Sequence, residues 1–206
     1  MHKLQIGIPS IRSRLHEKIM NILNLPPYDN PQRLVFYTDE AVVFFLRGWD
    51  LASLMQASRL DIAFCGLDTI EELGSNVLVS KHFVEMKSPI ALCKKKDVDL
   101  AGRDHLAVAT EYPNLTRRAL GDRFARLEVI PVHGATEALA HLADIDAIVD
   151  IVETGQTLES NNLEMVEVLS YTYPCIIQNV NGEMPLPSLH ELSTCIANAL
   201  LKNSAR

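Results

Sequence analysis

AIVDIVETGQTL, residues Ala147 to Leu158, is an apolar, β-branched run that carries two acids, Asp150 and Glu153, and then breaks into Thr-Gly-Gln-Thr. An apolar run of this length, closed by small polar residues, reads as a buried strand. A strand feeding so short a loop can turn its backbone amides inward around an anion, and Gly155 permits the tight path. Thr154 and Thr157 add hydroxyl donors, and a helix starting near Thr157 would add its free N-terminal amides. Asp150 and Glu153 would repel a phosphate, but a carboxylate can accept hydrogen bonds from both hydroxyls of a neighbouring sugar diol. The alternative is a strand that ends in a Thr-Gly turn with its acids facing solvent.

Outward from this strand, apolar runs and helical periodicities alternate. Strands are expected at LQIGIP (4–9), RLVFYTD (33–39), AVVFFLRG (41–48), LDIAFCGLD (60–68), NVLVSKHF, SPIALCKK, HLAVAT (105–110), LEVIPV, DAIVDIV, LEMVEVLS and YPCIIQNV. Helices are expected at RLHEKIMNILNL (14–25, stopped by Pro26-Pro27), DLASLMQAS (opened by Asp50 as N-cap), TIEELG, YPNLTRRALGDRF (Pro113 in its first turn), ATEALAHLA and LHELSTCIANALLK (189–202). Such alternation implies an α/β fold with mostly parallel sheets covered on both faces. Two lobes fit better than one sheet: residues 1–90 with 175–206 form lobe I, and residues 91–174 form lobe II, which carries the opening loop. The architecture resembles periplasmic-type binding proteins (type II), with the ligand expected in an inter-lobe cleft.

The bulk composition excludes several function classes. A formal net charge of −7 argues against a nucleic-acid partner, which needs a basic face to displace counterions. The apolar runs are about strand length and fall short of the ~20 residues that span a bilayer. The N-terminus enters a strand-like alternation without a signal-peptide block, so a cytoplasmic protein without membrane contact is expected. The four cysteines, Cys65, Cys93, Cys175 and Cys195, and the seven histidines show no metal-ligand spacing. Buried, reduced thiols are the expectation, and His133 is expected to be a packing or wall residue.

The segment DAIVDIVETGQTLESNNL (146–163) resembles the phosphoribosyl pyrophosphate loop of the ATP phosphoribosyltransferase family, the first enzyme of histidine biosynthesis. VATEYPNLTRRAL (108–120) resembles that family's Tyr-Pro-Asn helix start, and VHGATEALAHLADIDAIVD its Gly-Ser-x-Glu segment. LRGWDLASLMQASRLDIAFCGLD resembles its Arg-x-x-Asp-Ile-Pro and Asp-x-Gly-x-x-Gly-x-Asp region. The likeness spans most of the chain, and the length matches the short form without the regulatory domain. It implies attack of the adenine N1 of ATP on the anomeric carbon of phosphoribosyl pyrophosphate, with Mg²⁺ carried on the departing diphosphate. Such a step needs an in-line nucleophile, stabilisation of an oxocarbenium-like sugar and neutralisation of the leaving group.

The resemblance assigns Asp150 and Glu153 as the catalytic acids that hold the ribose. Thr154, Gly155, Gln156, Thr157 and Arg14 join them on phosphoribosyl pyrophosphate, and Arg12, Arg47, Asp68, Tyr112 and Glu137 face ATP. From the residues alone, Arg47 could instead pack on Trp49, Tyr112 could be a helix-start core residue, and Asp68 could be a helix N-cap. The resemblance also implies a homo-oligomer and a hetero-oligomer with a regulatory subunit resembling a histidyl-tRNA synthetase. The apolar pair of strands around Val42–Leu46 could supply an oligomer surface or belong to the core.

The departures from the family pattern are specific. IPSIRSRL (8–15) stands where a Pro-Lys-Gly-Arg-Leu turn is usual, so Arg12 replaces Lys and Ser13 replaces Gly. Ala52 replaces a Pro, Ala57 or Ser58 stands at a usual Gly, and Gln156 replaces a common Arg. Losing one charge-assisted hydrogen bond costs roughly 1.5–3 kcal/mol. Two alternatives therefore stand beside the family reaction: a paralogue using another nitrogenous base, and a non-catalytic nucleotide-binding module.

Overall fold

A computed structural model describes residues 3–26, 32–180 and 185–204, with side chains only as far as Leu201 at the C-terminus. The chain divides into two compact units, Met1–Met86 with Tyr173–Arg206, and Lys87–Thr172. The division falls before strand Ser88–Lys95, whereas a cut at 90/91 would run through it.

The first unit is built on a six-stranded sheet. Its strands are β1 (Leu4–Pro9), β2 (Val35–Tyr37), β3 (Ala41–Leu46), β4 (Ile62–Gly66) and β5 (Leu78–His82), joined by β11 (Pro174–Gln178) on the chain's return; the spatial order is β2-β3-β1-β4-β11-β5. α1 (His16–Ile22), α2 (Gly48–Gln56), α3 (Leu67–Leu73) and α7 (Leu189–Ser204) complete it. β1 pairs in parallel with β3 and β4, so their C-terminal ends, Pro9, Leu46 and Gly66, emerge at one end of the sheet. Apolar clusters cover both faces: Ile6, Ile8, Val43 and Phe45 on one, Leu51, Met55, Ala63 and Cys65 on the other. This is why these strands read as continuous greasy runs without alternation. Burying one such aliphatic or aromatic side chain contributes roughly 1.5–3 kcal/mol.

The second unit holds β6 (Ser88–Lys95), β7 (His105–Thr110), β8 (Arg126–Pro131), β9 (Ala147–Ile151) and β10 (Leu163–Thr172) in the order β10-β6-β9-β7-β8. Its helices are α4 (Pro113–Leu120), α5 (Thr136–Leu139) and α6 (Gln156–Ser160). β9, β7 and β8 run parallel, while β6 and β10 are antiparallel.

Several expectations change in detail. The sheets are mixed and not mostly parallel, because β2, β5, β6, β10 and β11 all enter antiparallel ladders. α1 stops at Ile22, short of Pro26, while Pro27 lies outside the described residues. Asn24 at φ 52 reverses the chain there, with Leu25 N–H on the Met20 carbonyl at 2.9 Å and Asn24 N–H on Asn21 at 3.0 Å. Asp50 lies inside the first turn of α2, whose N-cap is Arg47. Val42–Leu46 belong to β3, packed between β1 and β2 and largely buried, so this stretch is core and supplies no oligomer surface.

α2 closes by the same motif: Arg59 N–H reaches the Leu54 carbonyl at 2.9 Å and Ser58 N–H reaches Met55 at 3.0 Å, with Ser58 at φ 54. Ser58, and not Ala57, therefore occupies the left-handed position where the family uses Gly. A left-handed conformation costs an L-residue roughly 1–2 kcal/mol, and Ser58 is exposed, so Ser58→Gly removes strain without disturbing packing. It should raise stability by about 0.5–1 kcal/mol in denaturant melts, with the slope m unchanged.

Candidate functional site

The parallel run of β8, β7 and β9 fixes where polar residues of the second unit collect. Each strand ends at the same edge, so Glu111–Tyr112, Val132–Ala135 and Val152–Gly155 leave the sheet side by side. β6 runs the other way and starts there, and its Ser88 joins the group. Thr110, fully buried, ties the ends together: its hydroxyl donates to the Val149 carbonyl at 2.7 Å and accepts from Tyr112 N–H at 2.9 Å.

The stretch 152–157 leaves β9 as a tight loop. Val152 N–H is anchored on the Pro89 carbonyl at 2.9 Å, and the chain then turns through Gly155 at φ 74 into α6. Among the described residues, the amides of Thr154, Gly155 and Thr157 have no intramolecular acceptor. Gln156 N–H has only a long contact, 3.4 Å, to its neighbour's Thr154 hydroxyl. A Cβ added at Gly155 would meet nothing within 4 Å, so glycine is required there for its dihedral and not for want of room. The helix begins at Gln156, one residue before the expected Thr157.

Asp150 sits at the mouth of this loop, largely buried. Its carboxylate accepts Ile151 N–H at 2.7 Å, and that bond and the buried Thr136 hydroxyl both favour its charged form. Burial nevertheless pushes its pKa up to about 6, and the nearby carboxylates of Glu137 and Glu111 push in the same direction. Glu153 is exposed and accepts a 3.4 Å hydrogen bond from the buried Ser88 hydroxyl. Glu137 stands on α5, whose start is strained: Gly134 at φ 83 is followed by Ala135 at φ 51. Tyr112 is the N-cap of α4 and only 6% exposed, so its ring behaves as a helix-start packing residue. His133 is exposed.

In the first unit the loop after β1 carries Arg12 and Arg14. Arg12 is exposed, whereas the Arg14 guanidinium donates to Asp68 at 2.8 Å. Asp68 is 3% exposed, lies within α3 after its Gly66 N-cap, and also accepts from the Thr69 hydroxyl at 3.2 Å. A side chain on Gly66 would collide with the Asp68 carboxylate at 2.3 Å. Asp68 is therefore an arginine-holding acid and not a helix cap. Ser13 has no positive φ and closes its turn through Ser13 N–H to the Ser10 carbonyl at 2.8 Å. Replacing the family's glycine thus costs this loop no left-handed strain. Arg47 is exposed, at the start of α2.

The structure thus assembles Asp150 with Glu137, and separately Arg14 with Asp68. Sequence reasoning missed Ser88, Thr110, Glu111 and Thr136. Thr110 and Ser88 were visible as the single hydroxyls at the ends of otherwise apolar strands, HLAVAT and SPIALC. Thr136 left no such signal, because its partner lies on another element.

The elevated Asp150 pKa has a consequence for stability. The folded state binds this proton more tightly than the unfolded chain, so ionised Asp150 is destabilising above pH ~6, and the penalty fades as pH falls toward the ordinary carboxylate value. Asp150→Asn should therefore stabilise the fold by roughly 1–3 kcal/mol at pH 8 and by little near pH 4. Urea melts at both pH values check this; equal effects at both would contradict the burial account.

The family model described as "HisG: ATP phosphoribosyltransferase" matches residues 47–198. The chain is 31% identical to an ATP phosphoribosyltransferase of Pyrococcus furiosus over 196 residues, 92% of this chain and 96% of the relative. It is 32% identical to that of Dictyoglomus turgidum over 184 residues, 86% and 87% of the two chains. Among solved structures, the ATP phosphoribosyl transferase (HisG:HisZ) complex from Thermotoga maritima superposes with a TM-score of 0.72 at 24% identity, covering 97% of each chain. A putative L-cystine ABC transporter from Listeria monocytogenes superposes with a TM-score of 0.59 at 12% identity, covering 98% of this chain and 90% of that one. The fold is thus the α/β architecture shared with periplasmic-binding-protein-like chains. By sequence, the chain belongs to the ATP phosphoribosyltransferase family.

Proposed function

We propose that this chain joins N1 of the adenine of ATP to the anomeric carbon of phosphoribosyl pyrophosphate, releasing pyrophosphate, as the first step of histidine biosynthesis. The observation that carries the assignment of the site is the loop after β9: among the described residues the amides of Thr154, Gly155 and Thr157 have no intramolecular acceptor, and the chain is turned there by a left-handed glycine. Thr154, Gly155, Gln156 and Thr157 hold the 5′-phosphate through their amides, with the Thr154 and Thr157 hydroxyls beside them. Asp150 and Glu153 accept hydrogen bonds from the ribose hydroxyls. Ionised Asp150 also favours the positive charge that develops on the sugar. Its proton affinity fits this work, since a bound cationic centre would draw it into the charged form.

On the first unit, Arg14 contacts phosphoribosyl pyrophosphate, held in orientation by Asp68. Arg12 and Arg47, both exposed, are the cations offered to ATP, with Glu137 as the acid on the second unit. Tyr112, packed at the start of α4 on the second unit, is the aromatic side chain offered to the base of ATP. No covalent nucleophile is needed, because the adenine nitrogen attacks directly.

The family needs a divalent cation, for which we propose Mg²⁺ held mainly by the diphosphate. Among the described residues no group of three or more His, Cys, Asp or Glu side chains could hold an ion. Asp150 lies in the negative field of Glu137 and Glu111. When bound, the ion neutralises charge on the leaving group. Among the described residues no helix is long and apolar enough to cross a membrane, and a cytoplasmic site of action fits a biosynthetic enzyme. A regulatory partner like that in the Thermotoga maritima complex, and a homo-oligomer, complete the proposal.

The direct test is pyrophosphate release from ATP, phosphoribosyl pyrophosphate and Mg²⁺, with and without a histidyl-tRNA-synthetase-like subunit. Turnover in either condition is expected; its absence in both rejects the assignment. Gly155→Val should weaken phosphoribosyl pyrophosphate binding at least about a hundredfold in calorimetry, because a β-branched residue at positive φ forces the loop to another path. Circular dichroism should show the fold retained, since the added side chain points into open space.

A further inference from the structure

Across the first sheet, β4, β11 and β5 place three reactive side chains in one row. Cys65 and Cys175 are direct register partners in the antiparallel β4–β11 ladder, and Cys175 is in turn the partner of His82 on β5. Register partners project to the same face, and both thiols enter one apolar cluster with Leu51, Met55 and Ile177. Antiparallel partners have Cα atoms about 4.5–5.5 Å apart, inside the roughly 4.4–6.8 Å that a disulfide spans. Both cysteines are free thiols. The Cys175 sulfur lies 3.8 Å from His82 Nδ1, and His82 is exposed on β5, the sheet's edge strand.

We propose that Cys65 and Cys175 form a redox-active pair, which a small-molecule disulfide of the glutathione class converts to a cross-strand disulfide. The Cys175 thiol passes its proton to His82, and the resulting thiolate attacks the small disulfide, forming a mixed disulfide and expelling one thiolate. The Cys65 thiolate then attacks the Cys175 sulfur, forming the protein disulfide and expelling the second. Two cysteine thiols are oxidised, one small disulfide is reduced to two thiols, and the two protons end on the products.

The surroundings set the rate. Burial, then the Asp68 and Glu71 carboxylates, push the Cys175 thiol up to about 12, and Cys65 is raised by burial as well. Oxidation is therefore slow in the closed sheet and proceeds through fraying of β5, since edge elements open at low cost. Cys93, alone in the second unit, has no register-paired thiol: it faces Met165 and Ile148. The bond would pin β4 one residue before Gly66, beneath the Arg14–Asp68 pair. The inference is independent of the transferase assignment.

The test is incubation of the reduced full chain with excess oxidised glutathione at pH 8, followed by alkylation, intact mass and peptide mapping. The expected product is two hydrogens lighter, with peptides of Cys65 and Cys175 linked and its Tm raised by several degrees through closure of a long loop. Cys65→Ala should stop at a glutathione adduct on Cys175, and His82→Ala should slow oxidation about tenfold. Linkage between other cysteines, persistence of all thiols, or linkage only in denaturant overturns the proposal. An unchanged rate in His82→Ala overturns the proton transfer.

Discussion

Parallel pairing of β7 with β9 is the constraint from which the site follows. Two parallel neighbours must end at the same edge, so whatever follows each of them is brought together without any further instruction. Glu111–Tyr112 follow β7, and Asp150 with the 152–155 loop closes β9. The buried Thr110 hydroxyl on the Val149 carbonyl fixes the offset between the two ends. The first unit repeats the principle with β1, β3 and β4, whose ends deliver Arg14, Arg47 and Asp68. In both units a largely apolar interior confines the proposed site residues to the edge where the parallel strands end.

That confinement explains the electrostatics. Asp150 is held where burial and two acidic neighbours disfavour its charge, and the fold tolerates the penalty because the surrounding strands are over-determined by packing. Arg14 is the opposite case, a cation already satisfied by an acid that is itself almost inaccessible. One edge therefore carries an acid whose charge its surroundings disfavour, and the other a cation held in place by a buried acid. Both arrangements suit a reaction in which a sugar carbon becomes positive while a diphosphate departs.

The succession of strands and helices along the chain and the short loop after β9 were legible in the sequence because each rests on local signals. The run AIVDIV, its Thr-Gly break and the apolar strands around it are contiguous patterns that no distant contact has to supply. Less legible was everything decided across the sheet. The antiparallel members of the sheets, the core position of Val42–Leu46 and the influence of Thr136 on Asp150 all depend on which strand or loop lies beside which. Helix ends were misjudged where an Asn or Ser adopts the left-handed conformation, as at Asn24 and Ser58, since propensity alone reserves that place for glycine. In the IRSRL turn Ser13 stands where Gly is usual, yet it needs no positive φ.

The central claim is that the loop after β9 holds a phosphate through its main chain. A crystal structure of the chain soaked with phosphoribosyl pyrophosphate and Mg²⁺ tests it most directly. The account predicts density for the 5′-phosphate within hydrogen-bonding distance of the amides from Thr154 to Thr157, with the ribose hydroxyls on Asp150 and Glu153. Density bound elsewhere, with those amides facing solvent or turned onto internal acceptors, would contradict it.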